Sequence, residues 1–179
     1  MVERVYYTTF DSPLGRFYIG STERGICKIH LPSEDAGSFF AWLKRMFPDA
    51  DLVQDDDRYE HRLICEELGS YLSGELEEFR SALDVRGSDF QKRVWKEVGT
   101  IPFGSTRSYL DIAIAIGNAN ACRAVGAANG LNPIPIIIPC HRVIGANGSL
   151  TGYGGGIDMK RRLLELERSV SQRQRRFAD

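Results

Sequence analysis

Pro139-Cys140-His141-Arg142-Val143 sets a nucleophile beside a base. The thiolate is the reactive form of cysteine, and a free thiol with a pKa of about 8.5 is mostly protonated at neutral pH, so an adjoining imidazole is a group that can take its proton. An isolated cysteine more often packs as a small apolar residue; here its neighbours shift the reading to chemistry. The run Ile134-Pro135-Ile136-Ile137-Ile138 that leads to it is too short and proline-rich for a helix. It reads as a buried extended stretch that delivers the thiol to a pocket wall. Pro139 has no N–H and fixes its own φ, which stiffens the entry to Cys140.

The elements that must hold this segment come from a chain of 179 residues, 42% hydrophobic and 26% charged, an ordinary composition for a globular protein with one good core or two small ones. The N-terminus lacks a basic stretch followed by an apolar one, and no run approaches the roughly 18 apolar residues of a membrane span, so a cytoplasmic location with four reduced cysteines (27, 65, 122, 140) is expected. The net charge of -1 hides an asymmetry. Residues 1–85 hold 9 Lys+Arg against 17 Asp+Glu, residues 86–170 hold 11 against 6, and residues 171–179 hold 3 against 1. The positive charge accompanies the thiol, where it can neutralise phosphates, and the acidic half would be repelled from a polyanion. These counts and the helix-capping Ser88 put a boundary near Val85-Arg86-Gly87-Ser88: an N-terminal domain 1–85, a C-terminal domain 86–170 and a basic tail 171–179.

In the first domain, Tyr6 to Phe10 and Arg16 to Gly20 flank the turn Asp11-Ser12-Pro13-Leu14-Gly15, a hairpin signal, and Gly25 to Ile29 adds a third strand. Ser33 or Ser38 caps a helix through Met46. Asp57 starts another through Leu72, with His61, Cys65, Leu68 and Leu72 on one face. In the second domain the spacing predicts a helix from Asp89 to Gly99 that buries Phe90, Val94, Trp95 and Val98. After the turn Ile101-Pro102-Phe103-Gly104 come a helix from Ser108 to Ile116, a turn at Gly117-Asn118 and a helix from Asn120 or Ala121 to Ala128 closed by Gly130. Two short helices about a glycine turn fit a helix-turn-helix. The second carries mostly small residues, so it can approach a duplex closely but has few groups able to read base edges.

These motifs together resemble the O6-alkylguanine-DNA alkyltransferases: Pro-Cys-His-Arg-Val at 139–143, Arg123-Ala124-Val125-Gly126, Asn132-Pro133, Phe103-Gly104 with Ser108-Tyr109, and Tyr153 before Gly154-Gly155-Gly156. The resemblance is close from about Phe90 to Glu167 and looser before it. It implies an α+β architecture: an N-terminal α/β roll of three or so antiparallel strands with helices, then a helical, winged-helix-like DNA-binding domain. The implied activity is a single irreversible transfer of an alkyl group from O6-alkylguanine in double-stranded DNA to Cys140, with O4-alkylthymine as the alternative lesion. The protein would be a monomer without cofactor.

By the same resemblance, His141 activates Cys140 through a bridging water, and Glu167 orients His141 from a helix spanning Met159 to Arg168. Asn132 bonds buried backbone. Arg123 replaces the extruded nucleotide in the base stack, with Ala124 and Gly126 on the same minor-groove helix; extrusion costs a few kcal/mol that such a wedge helps offset. The base pocket would comprise Tyr109, Asn129, Pro135, Val143, Tyr153, Gly154 and Lys160. Tyr109 donates to a ring nitrogen, the Val143 and Cys140 carbonyls accept the exocyclic amine, and the Gly154 N–H faces the guanine oxygen. Glycine at 154 replaces the serine of some relatives, and Asn129 stands where some carry an apolar residue. Lys160 sits at the lip or in solvent.

No metal site is expected. Cys27-x-x-His30 and His61-x-x-x-Cys65 supply nitrogen and sulfur but fit no common finger spacing, and the zinc positions of some relatives fall here on Thr22 and Cys27. Cys65 reads as core. Two rival functions are weighed: a non-catalytic lesion binder, which the cysteine at 140 argues against, and a cysteine hydrolase, which would leave the helix-turn-helix without a use.

Overall fold

Alternating apolar residues and tight turns make the first thirty positions a meander of β1 (Arg4–Ser12), β2 (Gly15–Thr22) and β3 (Gly25–His30), as the hairpin signal predicts. The computed structural model describes residues 3–178, with side chains through Arg176, and divides into two units, Met1–Arg86 and Gly87–Asp179. In the first unit Ser12 lies opposite Gly15 across the antiparallel β1–β2 pair, and β2 pairs antiparallel with β3. A strand absent from the sequence reading, β4 (Asp51–Gln54), runs parallel to β1 and completes the order β3-β2-β1-β4. Four residues are too few to display a period of two. The parallel pairing is possible because α1 (Ala36–Met46) supplies the crossover.

The pleat sends alternate residues to opposite faces, and each face has its helix. Tyr7, Tyr18 and Cys27 meet Phe39, Phe40 and Leu43 of α1, whereas Ser21 meets His61 of α2 (Tyr59–Leu72). Two helix starts differ from expectation. Asp35, not Ser33 or Ser38, caps α1 by accepting from the Ser38 N–H, and α2 begins after Arg58 rather than at Asp57. The buried stripe of α2 is centred on His61, Ile64, Leu68 and Tyr71, which leaves Cys65 half-buried at its edge rather than in the core.

The second unit is helical. Ser88 and Gln91 form a reciprocal capping box that starts α3 (Asp89–Val98), and this helix buries Val94, Trp95 and Val98 while Phe90 is only half-buried. Ser108 with Asp111 does the same for α4 (Tyr109–Ala115). Gly117 then takes φ +81°, a value costly for residues with a Cβ, and turns the chain through a 3₁₀ segment (Ala119–Ala121) into α5 (Cys122–Gly130). α5 includes Gly130 and is capped at Leu131.

Residues 143–144 (β6) pair parallel with 107–108 (β5), and α6 (Gly156–Ala178) closes the unit. α6 is much longer than the expected Met159 to Arg168. No glycine or proline interrupts it, Arg175 and Arg176 suit the negative end of its dipole, and residues 171–178 extend the helix instead of forming a separate tail. Trp95 links the layers: its indole N–H donates to Ala128 O at 2.8 Å, so α3 grips the last turn of α5. Trp95→Phe should destabilise the second unit by about 1–3 kcal/mol through the lost bond and the vacated volume, read as faster hydrogen exchange along α5 and an earlier urea transition.

Candidate active site

The approach to Cys140 is folded back rather than extended. Ile138 N donates to Ile134 O at 3.0 Å and Cys140 N to Ile138 O at 2.7 Å, so residues 134–140 form a buried coil of turns. Asn132 imposes this shape. Its Oδ1 accepts from Ile134 N and its Nδ2 donates to Ile138 O at 2.7 Å, which satisfies backbone groups that an extended strand would have paired across a ladder. Ile136 is held at φ +76°, outside the usual range of a β-branched residue, a strain that the surrounding bonds must over-determine. Cys140 begins a 3₁₀ turn through Arg142 and is 4% exposed. Its carbonyl accepts from Asn129 Nδ2 at 3.1 Å, so Asn129, expected as a pocket residue, pins the cysteine turn to α5.

Beneath the turn lies Glu167, fully buried on α6. It accepts from His141 Nε2 at 2.7 Å, from the Arg142 guanidinium at 3.0–3.1 Å, and from the Gly104 N–H at 2.9 Å. Arg142 also donates to Ile101 O at 2.6 Å. Gly104 has φ +72°, and a Cβ there would collide with the Ser171 side chain, so glycine suits the close approach of the loop to α6. The structure thus brings Glu167 to His141, and adds Arg142 and Gly104 to the cluster. Both stand inside the motifs quoted above; the available signal was that a buried cation beside His141 needs an acid.

Burial alone would raise the Glu167 carboxyl, but hydrogen bonds from His141 and Arg142, with the Arg142 charge, outweigh it and hold it down to about 2. Burial pushes His141 below its ordinary value, with Glu167 opposing. The group is therefore a carboxylate beside a neutral ring. A carboxylate only accepts, so Nε2 carries the ring proton and Nδ1 is the basic nitrogen. Burial pushes the Cys140 thiol up to about 11, with the Asn132 side chain and the Lys160 charge opposing. At rest the thiol is protonated.

Lys160 is not solvated. It is fully buried, and its ammonium donates to Val143 O at 2.6 Å and Thr151 O at 2.8 Å. Tyr109 OH donates to the same Thr151 O at 2.8 Å. Val143 and Pro135 are buried, Tyr153 is half-buried and Gly154 is exposed. Outside this layer, a depression of about 340 Å³ is lined by Tyr109, Cys122, Arg123, Gly126, Thr151 and Gly152. Arg123 and Ala124 are exposed on α5 and Gly126 packs near the Tyr109 ring, while the half-buried Cys122 thiol contacts Ala119 O.

No group of three or more metal-ligating side chains occurs among the described residues. His61 Nδ1 meets Asp55 O and its Nε2 meets Ser21 Oγ, while His30 Nε2 meets Asp35 O, so both rings are engaged within the first unit.

Comparison with known proteins matches residues 5–85 to the ribonuclease-like domain, and residues 89–169 to the DNA binding domain, of 6-O-methylguanine DNA methyltransferase. A methylated-DNA–protein-cysteine methyltransferase of Mycobacterium leprae is 58% identical over 165 residues, covering 92% of this chain and 93% of its own length; one from Bacillus subtilis, described as inducible, is 45% identical and covers 87% and 86%. Among solved structures, Mycobacterium tuberculosis OGT in complex with DNA superposes with a TM-score of 0.80 at 45% identity, over 92% of this chain and 94% of that one. An archaeal O6-methylguanine-DNA methyltransferase from Pyrococcus kodakaraensis gives 0.64 at 26% identity, over 91% and 98%. With both domains matched in order and a buried Cys-His-Glu array in the second, the chain belongs to the O6-methylguanine DNA methyltransferase family, the methylated-DNA–protein-cysteine methyltransferases.

Proposed function

We propose that this protein repairs O6-alkylguanine in double-stranded DNA by direct reversal, moving the alkyl group once and irreversibly to its own Cys140. The observation that carries the assignment is the contact of His141 Nε2 with Glu167 at 2.7 Å directly behind the cysteine turn. It fixes the tautomer whose Nδ1 can accept the thiol proton, through one water molecule, as sulfur attacks the alkyl carbon. The carbon–oxygen bond breaks, the guanine oxygen leaves with the electron pair, and the proton lost by the thiol is returned to the base. Tyr109 hydrogen-bonds the base ring, and the Val143 and Cys140 carbonyls, each already holding one donor, use a second lone pair for the exocyclic amine. Asn132 and Asn129 hold the turn.

Arg123 enters the vacated place in the stack from α5, and Ala124 and Gly126 allow that helix close approach to the minor groove. The lesion is an O6-alkylguanine in preference to O4-alkylthymine, because the carbonyls and Tyr109 match the guanine amine and ring nitrogen. Every group named belongs to the second unit of one chain, which supports action as a monomer. The absence among the described residues of a helix long and apolar enough to cross a membrane is compatible with the cytoplasm.

A thioether has no good leaving group, so each chain should act once. Mixed with excess DNA containing O6-methylguanine, the protein should remove one lesion per chain and gain one methyl, mapped to Cys140 by peptide mass. Several turnovers would indicate a hydrolase or demethylase, and lesion binding without a mass change would indicate a sensor.

Arg123→Ala should slow repair of duplex DNA by at least tenfold and leave the reaction with free O6-benzylguanine within about twofold, because only the duplex requires extrusion. Equal losses on the two substrates would remove the wedge role.

Glu167→Gln should cost about 3 kcal/mol at pH 7, since it strands the buried Arg142 charge. The folded carboxyl near 2 lies below its ordinary 4.5, so its stabilisation of about 3 kcal/mol is complete above 4.5 and lost as pH falls toward 2. The stability gap between wild type and variant should therefore close over that window. At pH 7, Glu167→Gln and His141→Ala should both slow alkyl transfer without weakening affinity for undamaged DNA, and a rate equal to wild type would show that the thiol is activated otherwise.

A further inference from the structure

The last turns of α6 carry charge that neither the fold nor the transfer chemistry uses. From Arg168 to Arg176 the helix holds four arginines (168, 173, 175, 176) and no acid, and all four side chains are exposed. Among the described residues none of the four guanidinium groups makes an ion pair. At about 100° per residue they fall on the half of the helix opposite its buried stripe of Leu163, Glu167 and Val170. Residues 172–176 are exposed on every side.

Helix stability does not call for this arrangement. One cation in the last turn suits the dipole, but three within four positions repel one another, and Arg173 and Arg176 are surface neighbours at i, i+3. A polyanion relieves that repulsion. A membrane surface is a poor match, because an interfacial helix needs an apolar face and residues 171–176 (Ser-Gln-Arg-Gln-Arg-Arg) have none. Guanidinium groups pair with phosphate oxygens through two parallel bonds, and a duplex presents one phosphate charge for about every 1.7 Å of its axis.

The matched DNA binding domain ends at residue 169, ahead of these arginines. Lys160, beside the base pocket, and Arg176 are sixteen residues apart on one unbroken helix, about 24 Å or the rise of roughly seven base pairs. The charge therefore stands clear of the lesion site but within the length of a bound duplex.

We propose that this arginine arm is a second contact to the phosphate backbone: while α5 addresses the lesion, Arg173, Arg175 and Arg176 hold the flank of the same duplex. The inference rests on the reading of the chain as a DNA repair protein. It assigns the arm to duplex affinity, not to base capture or alkyl transfer.

The combined substitutions Arg173→Gln, Arg175→Gln and Arg176→Gln remove the charge and keep good helix formers. Affinity for an undamaged duplex of about 30 base pairs is measured by fluorescence anisotropy over a range of salt concentrations. Each phosphate contact contributes about 0.9 to the slope of log K against log salt, so the triple variant should show a slope shallower by about 2–3 and an affinity at least about tenfold lower at 100 mM salt. The three arginines changed to lysine keep the charge and should keep most of the slope. A duplex of about 10 base pairs extends only about 17 Å to each side of its centre, so wild type and glutamine variant should bind it alike. Labelling of Cys140 by free O6-benzylguanine should agree within about twofold in all three proteins, because the arm lies outside the pocket.

An unchanged slope in the glutamine variant would overturn the proposal, as would an equal loss in the lysine variant or a deficit retained on the short duplex. Arm-dependent self-association of the protein alone in sedimentation, with DNA binding unaltered, would overturn it in favour of the acidic first unit of a second copy. A wild type that labels normally but binds no duplex would defeat the DNA repair reading itself, and the proposal with it.

Discussion

A carboxylate with no access to solvent must be surrounded by donors, and the second unit is organised around that requirement at Glu167. Two segments far apart in sequence answer it with three donating residues: the Gly104 loop with a backbone N–H, and the cysteine turn with His141 and with Arg142, whose remaining nitrogen is held by Ile101 O. All of these donors are satisfied only if the loop, the turn and α6 are in place together. Loss of any one leaves a buried polar group unpaired at about 1–3 kcal/mol, and more for a charge, so the loop, the turn and α6 are ordered together. The requirement also sets the electrostatics. Arg142 neutralises Glu167, which leaves His141 in a nearly charge-balanced setting where burial keeps the ring neutral and able to accept a proton.

The thiol is managed in the opposite way. Burial pushes the Cys140 thiol up to about 11, so it rests protonated, which protects a non-renewable residue from passing electrophiles. Reactivity then comes from proton removal during the encounter and from placement, the part that Asn129 and Asn132 govern. Two buried asparagines determine where Cys140 points, one through its carbonyl and one through the preceding turn. The strained φ of Ile136 is the local cost of that placement, of order 1–3 kcal/mol.

Consecutive residues were readable and distant ones were not. Cys140 and His141 declared themselves by adjacency, and the cap at Ser88 by residue type ahead of an apolar period, because both signals are local. Glu167 lies 26 residues from His141, and only resemblance joined them. The run from Ile134 to Ile138 looked extended because β-branched residues favour strands, yet the side chain of Asn132 competes for its backbone and wins. Lys160 was left between the lip and solvent for a related reason: nothing in a sequence says that two carbonyls will converge on a lysine. The short β4 carried no period to read, and α6 was cut short because its end is rich in serine, glutamine and arginine, residues equally at home in a tail.

Lys160 and Glu167 share α6 and are seven residues apart, about two turns, which is why one helix face can serve both the lip and the cysteine turn. This spacing fixes the reading frame of the helix. An insertion or deletion of one residue between them would rotate one side chain by about 100° relative to the other, so that no rigid shift of α6 could restore both sets of bonds. Substitutions on the outer face of that interval should be accumulated freely in descendants of this gene, whereas changes of length should be purged.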